Sequence, residues 1–79
     1  MNAYEQLIAD KVKEIAAELT AERLDVTAPT VTIQLMRGIF PETFHDGEIP
    51  VGPMESHLRF WGLFDELLPV VEQYLAEKR

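Results

Sequence analysis

The chain has 79 residues, the size of a single domain, and it contains no cysteine, so disulfide bonds and thiolate metal sites are excluded. A hydrophobic content of 47% with 27% charged residues is typical of a folded globular protein rather than a disordered one. Fourteen acidic and seven basic side chains give a formal net charge of -7, which disfavours direct nucleic-acid binding and favours a basic protein partner.

Residues 1–79 are therefore expected to form one domain with a thin stability margin, because a chain this short buries only about 60% of its unfolded surface. Helix packing or self-association as a homodimer must supply that margin. The first residues lack the basic start and apolar run of a secretory signal. The longest apolar stretches, such as residues 67–71, fall far short of the roughly 20 residues of a membrane span. We expect a cytoplasmic protein with no membrane contact.

The first predicted element is a helix over residues 3–24. Its apolar residues recur at spacings of three and four, the helical period: Tyr4, Leu7, Ile8, Val12, Ile15 and Leu19. The opposite side carries Asp10, Glu14, Glu18 and Glu22 at successive i,i+4 positions. This acidic row is expected to lie in solvent, because like charges one turn apart repel each other.

The middle of the chain allows two interpretations. Thr27 before Ala28 and Pro29 is typical of a helix N-cap with proline in the first turn, and Gly38 is a suitable stop. Residues 30–35, however, alternate β-branched and polar positions as a strand does. We favour a helix, since the only later partner strand, around residues 48–51, is short and contains proline. An α+β fold with a short hairpin around residues 30–51 stays the alternative.

Residues 39–53 contain three prolines and two glycines and are predicted to be a loop or hairpin, which Phe40 and Phe44 pin to the core. Two further helical faces follow in the sequence. The first comprises Met54, Leu58, Trp61 and Phe64, with Gly62 near its end, and the second comprises Leu67, Val71, Tyr74 and Leu75, with Pro69 in the first turn or at a kink. The sequence thus predicts a mainly α domain of three to four helices with an irregular central loop.

The aromatic side chains Phe60, Trp61, Phe64 and Tyr74 are expected in the core. For Phe60 the pattern leaves an alternative open, in which the ring is exposed opposite the Met54 face and serves as a contact.

No arrangement of residues predicts an enzyme. Ser56 and His57 are neighbours, and neighbours on a helix point about 100° apart, so they form no ready catalytic dyad. The residues Glu42, His45, Asp46, Glu55 and His57 lack metal-ligand spacing and are interpreted as a solvated acidic loop. The scattered glycines form no phosphate-binding loop, and Asp65–Glu66 is interpreted as a solvated pair. We expect no catalytic residue, no metal and no cofactor.

The acidic residues instead predict a partner-binding surface. The α-helical row consists of Asp10, Glu14, Glu18 and Glu22, and Asp25, Glu42, Asp46, Glu48 and Glu55 extend it. In size, acidity and lack of catalytic residues, the chain resembles small phage-type inhibitors, a class that includes anti-CRISPR and other DNA-mimic proteins. The resemblance implies a non-catalytic, stoichiometric inhibitor that blocks a basic nucleic-acid-binding protein.

A second resemblance gives the alternative function. Residues 21–31 look like the turn region of helix-turn-helix regulators, whose usual apolar places are occupied by Ala21, Leu24, Val26 and Val31. The sequence departs from that pattern at Asp25, where glycine is usual, and the would-be recognition helix has only Arg37 as a cation. This resemblance implies a DNA-binding regulator.

Overall fold

The computed structural model describes residues 3–50 and 55–77, with side chains described for 3–50 and 58–77. Within these ranges the chain forms three α-helices and one short 3-10 helix, with no β-strand. The helices are α1 (Ala3–Ala21), α2 (Ala28–Ile39) and α3 (Glu55–Glu77), and the 3-10 helix covers Pro41–Thr43. The predicted mainly α fold with an irregular central segment is confirmed.

Helix α1 buries Ile8, Ala9, Val12, Ala16 and Leu19, which recur at helical spacing on one face. It ends at Ala21, three residues before the predicted end at residue 24. The physical reason is Arg23, which takes a left-handed backbone conformation with φ of 61°. The backbone N–H of Arg23 donates to Thr20 O at 3.0 Å, and that of Leu24 donates to Leu19 O at 2.9 Å. This pair of bonds is the Schellman motif that terminates many helices.

Tyr4 and Leu7 share the predicted helical spacing of the apolar residues of α1, but they do not belong to its buried face. Their side chains are 52% and 45% exposed. Both precede the first buried residue, Ile8, so they lie where α1 begins to pack against the other helices.

Residues 30–35 belong to α2, so the strand alternative was wrong for this segment. Thr27 is the N-cap and accepts a hydrogen bond from Thr30 N, as the sequence predicted. The β-branched residues Val31 and Thr32 are buried in the helix, and the Thr32 hydroxyl donates to Ala28 O at 2.7 Å. Tertiary burial and this bond outweigh the strand propensity of the sequence.

Between α2 and α3, a tight turn spans residues 45–48. The His45 and Glu48 backbones exchange two hydrogen bonds of 2.9 Å, and Asp46 and Gly47 both have positive φ, of 52° and 82°. Two left-handed central residues are typical of a type I′ turn. Within residues 30–50, this isolated bridge is all that remains of the predicted alternative hairpin. Phe44 is buried and Phe40 half-buried, which confirms that they attach the segment to the core.

The two C-terminal helical faces form a single helix, α3, with Pro69 in its interior. The predicted apolar face was also wrong in phase, because Leu58 is 68% exposed whereas Phe60 is wholly buried. The alternative that exposed Phe60 was therefore wrong. Trp61 and Phe64 are half-buried against the core, while Met54 lies outside the described residues.

The core lies where the three helices meet. Its fully buried side chains are Val12, Val31, Thr32, Leu35, Met36, Phe60 and Val71. No buried side-chain nitrogen or oxygen among the described residues lacks a hydrogen-bond partner. None of the described helices has the length and apolar character needed to cross a lipid bilayer.

Candidate protein-interaction surface

The acidic row lies along the exposed side of α1. Asp10, Glu14 and Glu18 are exposed helical residues, and Glu22 is exposed directly after the helix end. The Glu22 N–H still donates to Glu18 O at 3.1 Å, so Glu22 continues the helical spiral. Each four-residue step advances about 6 Å along the axis and turns about 40° around it. The row is therefore a slanted stripe about 18 Å long.

Few cations contact this stripe directly. Lys11 Nζ lies 3.8 Å from Glu14 Oε2, and Gln6 donates a 2.8 Å hydrogen bond to Asp10 Oδ1. In the part of the chain that the structure describes, no lysine or arginine nitrogen lies within ion-pair distance of Glu18 or Glu22. An exposed lysine–glutamate pair at 3.8 Å is weak. The negative charge of the stripe is therefore largely unneutralised.

Part of the stripe borders a shallow groove between α1 and α2, which we call the α1–α2 groove. It is lined by Lys11, Glu14, Ile15, Glu18, Gln34, Leu35 and Gly38 and has a volume of about 170 Å³. Of the apolar residues, Ile15 is half-buried and Leu35 is buried. Glu14 and Glu18 are exposed. The groove thus places the half-buried side chain of Ile15 beside two carboxylates one helical turn apart.

Gly38 leaves the α2 side of the groove open. A Cβ atom built on Gly38 meets no heavy atom within 4 Å. The sequence predicted Gly38 as a helix stop, but α2 continues to Ile39. Glycine at this position therefore leaves empty space beside the acidic stripe.

The remaining predicted carboxylates lie on other elements. Asp25 is exposed in the connection between α1 and α2, and Glu42, Asp46 and Glu48 are exposed in residues 40–50. Asp46 Oδ2 lies 3.7 Å from His45 Nε2. The side chain of Glu55 lies outside the described residues. Of the eight predicted carboxylates whose side chains the structure describes, the α1–α2 groove brings together only Glu14 and Glu18.

The sequence prediction also missed a group of carboxylates. Asp65, Glu66, Glu72 and Glu77 are all exposed on α3. Asp65 and Glu66 were interpreted only as a solvated pair, and the other two were not considered. The signal was available, because acidic residues that alternate with the buried positions of a helix must lie on its solvent side. Negative charge thus covers two helices.

A second depression lies at the C-terminal end of α2. Arg37, Pro41, Phe44 and Gly47 line a volume of about 150 Å³, and the Arg37 guanidinium carbon lies 5.2 Å from the Phe44 ring centroid. This distance is within the range of a cation–π contact. Both depressions are smaller than the roughly 300 Å³ at which pockets for drug-sized ligands begin. Each depression has room for about one amino-acid side chain.

Chemical groups for catalysis or metal binding do not gather among the described side chains. His45 is exposed in the tight turn, and the side chains of Ser56 and His57 lie outside the described residues. Among the side chains of residues 3–50 and 58–77, no three histidine, aspartate or glutamate side chains lie close enough to hold a metal ion.

The connection between α1 and α2 differs from the helix-turn-helix pattern in two respects. Leu24 and Val26, at usual apolar places, are 55% and 38% exposed, while Val31 is buried. The positive φ of this turn falls on Arg23 rather than on Asp25.

Comparisons of the chain with protein-family models, with curated proteins and with solved structures find no match.

Proposed function

We propose that the protein is a non-catalytic interaction module that binds a basic protein partner through the acidic stripe of α1. The observation that carries the proposal is the row Asp10, Glu14, Glu18 and Glu22, in which Glu14 alone lies within 4 Å of a lysine nitrogen in the described chain. A partner that brings lysine or arginine side chains to this row supplies the missing counter-charges.

The spacing of the stripe supports attraction at physiological salt. Neighbouring carboxylates are about 6 Å apart along the axis, which is shorter than the Debye length of about 8 Å at 0.15 M ionic strength. Their potentials therefore add rather than acting as isolated charges. At 1 M salt the Debye length falls to about 3 Å, so the attraction should be strongly salt-dependent.

The partner we propose is a basic nucleic-acid-binding protein, which this protein inhibits stoichiometrically by covering its cationic surface. A duplex strand has one phosphate per roughly 3.4 Å, so the stripe alone has about half that charge density. Asp25, Glu42, Asp46 and Glu48 are exposed on other elements and add to the negative charge of the protein surface. This function is the one implied by the resemblance to anti-CRISPR and other DNA-mimic inhibitors.

Two matched triple variants test the proposal. Glu14→Lys, Glu18→Lys and Glu22→Lys reverse the α1 stripe, whereas Asp65→Lys, Glu66→Lys and Glu72→Lys reverse charges on α3. Each set changes the formal charge from -7 by six units to -1. In a pulldown from a host-cell lysate, the tagged wild-type protein should retain a specific basic protein at about 0.15 M salt. The α3 variant should retain the same protein and the α1 variant should lose it. Equal retention by both variants would refute the proposal.

A further inference from the structure

The α1–α2 groove continues into exposed apolar surface at the N-terminal end of α1. Leu7 lies one helical turn before Lys11, which lines the groove, and Tyr4 lies one turn before Leu7. Both are about half exposed. Residues 4, 7, 11, 14 and 18 thus share one face of α1 at spacings of three and four; this face is apolar at Tyr4 and Leu7, carries the cation Lys11 in its middle, and is acidic at Glu14 and Glu18.

We propose that this groove binds one amphipathic, basic α-helix of the partner protein. The inference rests on the proposed function and deepens it, because it names the part of the partner that docks. Apolar residues of that helix contact Tyr4 and Leu7, which are about half exposed, and the half-buried Ile15. Lysine or arginine residues one turn apart contact Glu14 and Glu18.

A helix fits this surface for a geometric reason. The contact positions on α1 recur about every 4.5–6 Å along the axis, and a helix lying along α1 presents its own side chains at the same spacing. The α1 face from Leu7 to Glu18 covers twelve residues and is about 16 Å long, which matches about three turns of a docked helix. The described chain offers no strand edge to which an extended peptide would add.

Charge decides between a foreign helix and a second copy of this chain. A second copy carries a formal charge of -7, and pairing two α1 stripes would set carboxylates against carboxylates. A cationic helix instead supplies the counter-charges that Glu18 lacks in the described structure.

Gly38 allows the groove to be tested without any change of charge. A side chain added at Gly38 enters empty space, since a Cβ there meets nothing within 4 Å. Gly38→Leu should therefore fill the groove and leave the fold intact. Gly62 is the matched control, because it is a helical glycine of α3 with the same open space but does not line the groove.

The probe is a labelled synthetic peptide of about 15 residues, built from leucine, alanine and lysine, with the leucines on one helical face. A scrambled peptide of the same composition controls for charge alone. We expect the helical peptide to bind more tightly than the scrambled one. Gly38→Leu should weaken binding of the helical peptide about tenfold, and Gly62→Leu should change it by less than about twofold.

Each outcome separates this inference from the proposed function. Equal binding of the two peptides, or equal effects of Gly38→Leu and Gly62→Leu, would overturn the helix-docking inference. The proposed function would stand in that case if the α1 charge-reversal variant still lost its partner. If charge reversal had no effect, the proposed function itself would fail.

A measurement on the wild-type protein removes any dependence on how the variants fold. In a two-dimensional amide NMR titration with the helical peptide, shifts should centre on Leu7, Glu14, Glu18 and Gln34. Shifts centred on α3 would overturn the inference. A dimer that perturbs the same groove amides without peptide would assign the groove to a second copy and also overturn it.

Discussion

Phe44 and Phe60 meet edge to face, with ring centroids 5.0 Å apart and ring planes at 81°. Phe60 is completely buried and Phe44 nearly so. Aromatic pairs in this geometry contribute about 0.5–1.5 kcal/mol beyond their buried area. The contact joins the segment after α2 to the first half of α3, and Arg37 covers the Phe44 ring from α2. The Phe44–Phe60 contact therefore holds the C-terminal end of α2 in place, and with it the α2 side of the α1–α2 groove.

The phase of α3 predicts opposite behaviour for two nearby residues. Phe60→Ala should lower the free energy of unfolding by about 3–5 kcal/mol, because it removes the largest fully buried side chain and leaves a cavity. Leu58→Ala should change it by less than about 0.5 kcal/mol, because Leu58 is mostly exposed. Urea unfolding followed by circular dichroism measures both. Similar losses for the two variants would contradict the placement of α3.

The left-handed backbone of Arg23 predicts a stabilising glycine. Arg23→Gly should raise the free energy of unfolding by about 0.5–1 kcal/mol, because a side chain at positive φ is strained and glycine is the usual residue at this place in a Schellman motif. Lys13→Gly is the control, since it removes the same charge from the interior of α1 and should cost about 1 kcal/mol. Thermal melts of the two variants should shift in opposite directions. A shift in the same direction would disprove this account of the helix end.

The N-cap of α2 predicts a moderate loss at Thr27. Thr27→Ala should lower the free energy of unfolding by about 0.5–1 kcal/mol, the lower part of the usual range, because the Thr30 N to Thr27 Oγ1 distance is a long 3.4 Å. Thr20→Ala should be neutral or slightly stabilising. Its hydroxyl only bonds back to Ala16 O within α1, and alanine is the better helix former. A larger loss at Thr20 than at Thr27 would be inconsistent with the capping role.

The charge distribution predicts no affinity for polyanions. At low salt the protein should pass through columns of heparin and of random duplex DNA without retention, because exposed carboxylates on α1 and α3 repel phosphate and sulfate groups. Retention that decreases with added salt would favour the helix-turn-helix regulator instead. Arg37→Ala would then be the first variant to examine, since Arg37 is the only cation of α2.

The sequence predicted those helices for which one local feature, such as apolar periodicity or an N-cap, is decisive. The buried face of α1 follows from its period, and α2 follows from the Thr27 cap despite its β-branched residues. The sequence misled in α3, where apolar residues occupy more than one face. Phe60 and Leu58 are both apolar, but only Phe60 lies on the side of α3 that packs against α1 and α2. Which side packs is decided by the tertiary structure and cannot be read from the local sequence. Pro69 was expected in the first turn of a helix or at a kink, because an internal proline loses a hydrogen bond; it lies inside α3, between the buried residues Leu67 and Val71.

Part of the candidate interaction surface could likewise be predicted from the sequence, and part could not. The exposed row on α1 could be predicted from the sequence, because carboxylates on the side of a helix opposite its buried face lie in solvent. The groove beside it could not, because it exists only where Glu14 and Glu18 approach Gln34 and Gly38 of another helix. Gly38 also had a sufficient local explanation as a helix stop, which concealed its part in the groove.

The central claim is that the α1 stripe, rather than negative charge in general, binds the partner. The most direct measurement uses the basic protein that the tagged wild-type protein retains. After purification, its affinity for the wild-type protein and for the two triple charge-reversal variants is measured by calorimetric titration at about 0.05 and 0.2 M salt. We predict that reversal of Glu14, Glu18 and Glu22 weakens binding at least about tenfold more than reversal of Asp65, Glu66 and Glu72, and that wild-type affinity falls as salt rises. Equal weakening by the two variants, or wild-type binding that ignores salt, would contradict the claim.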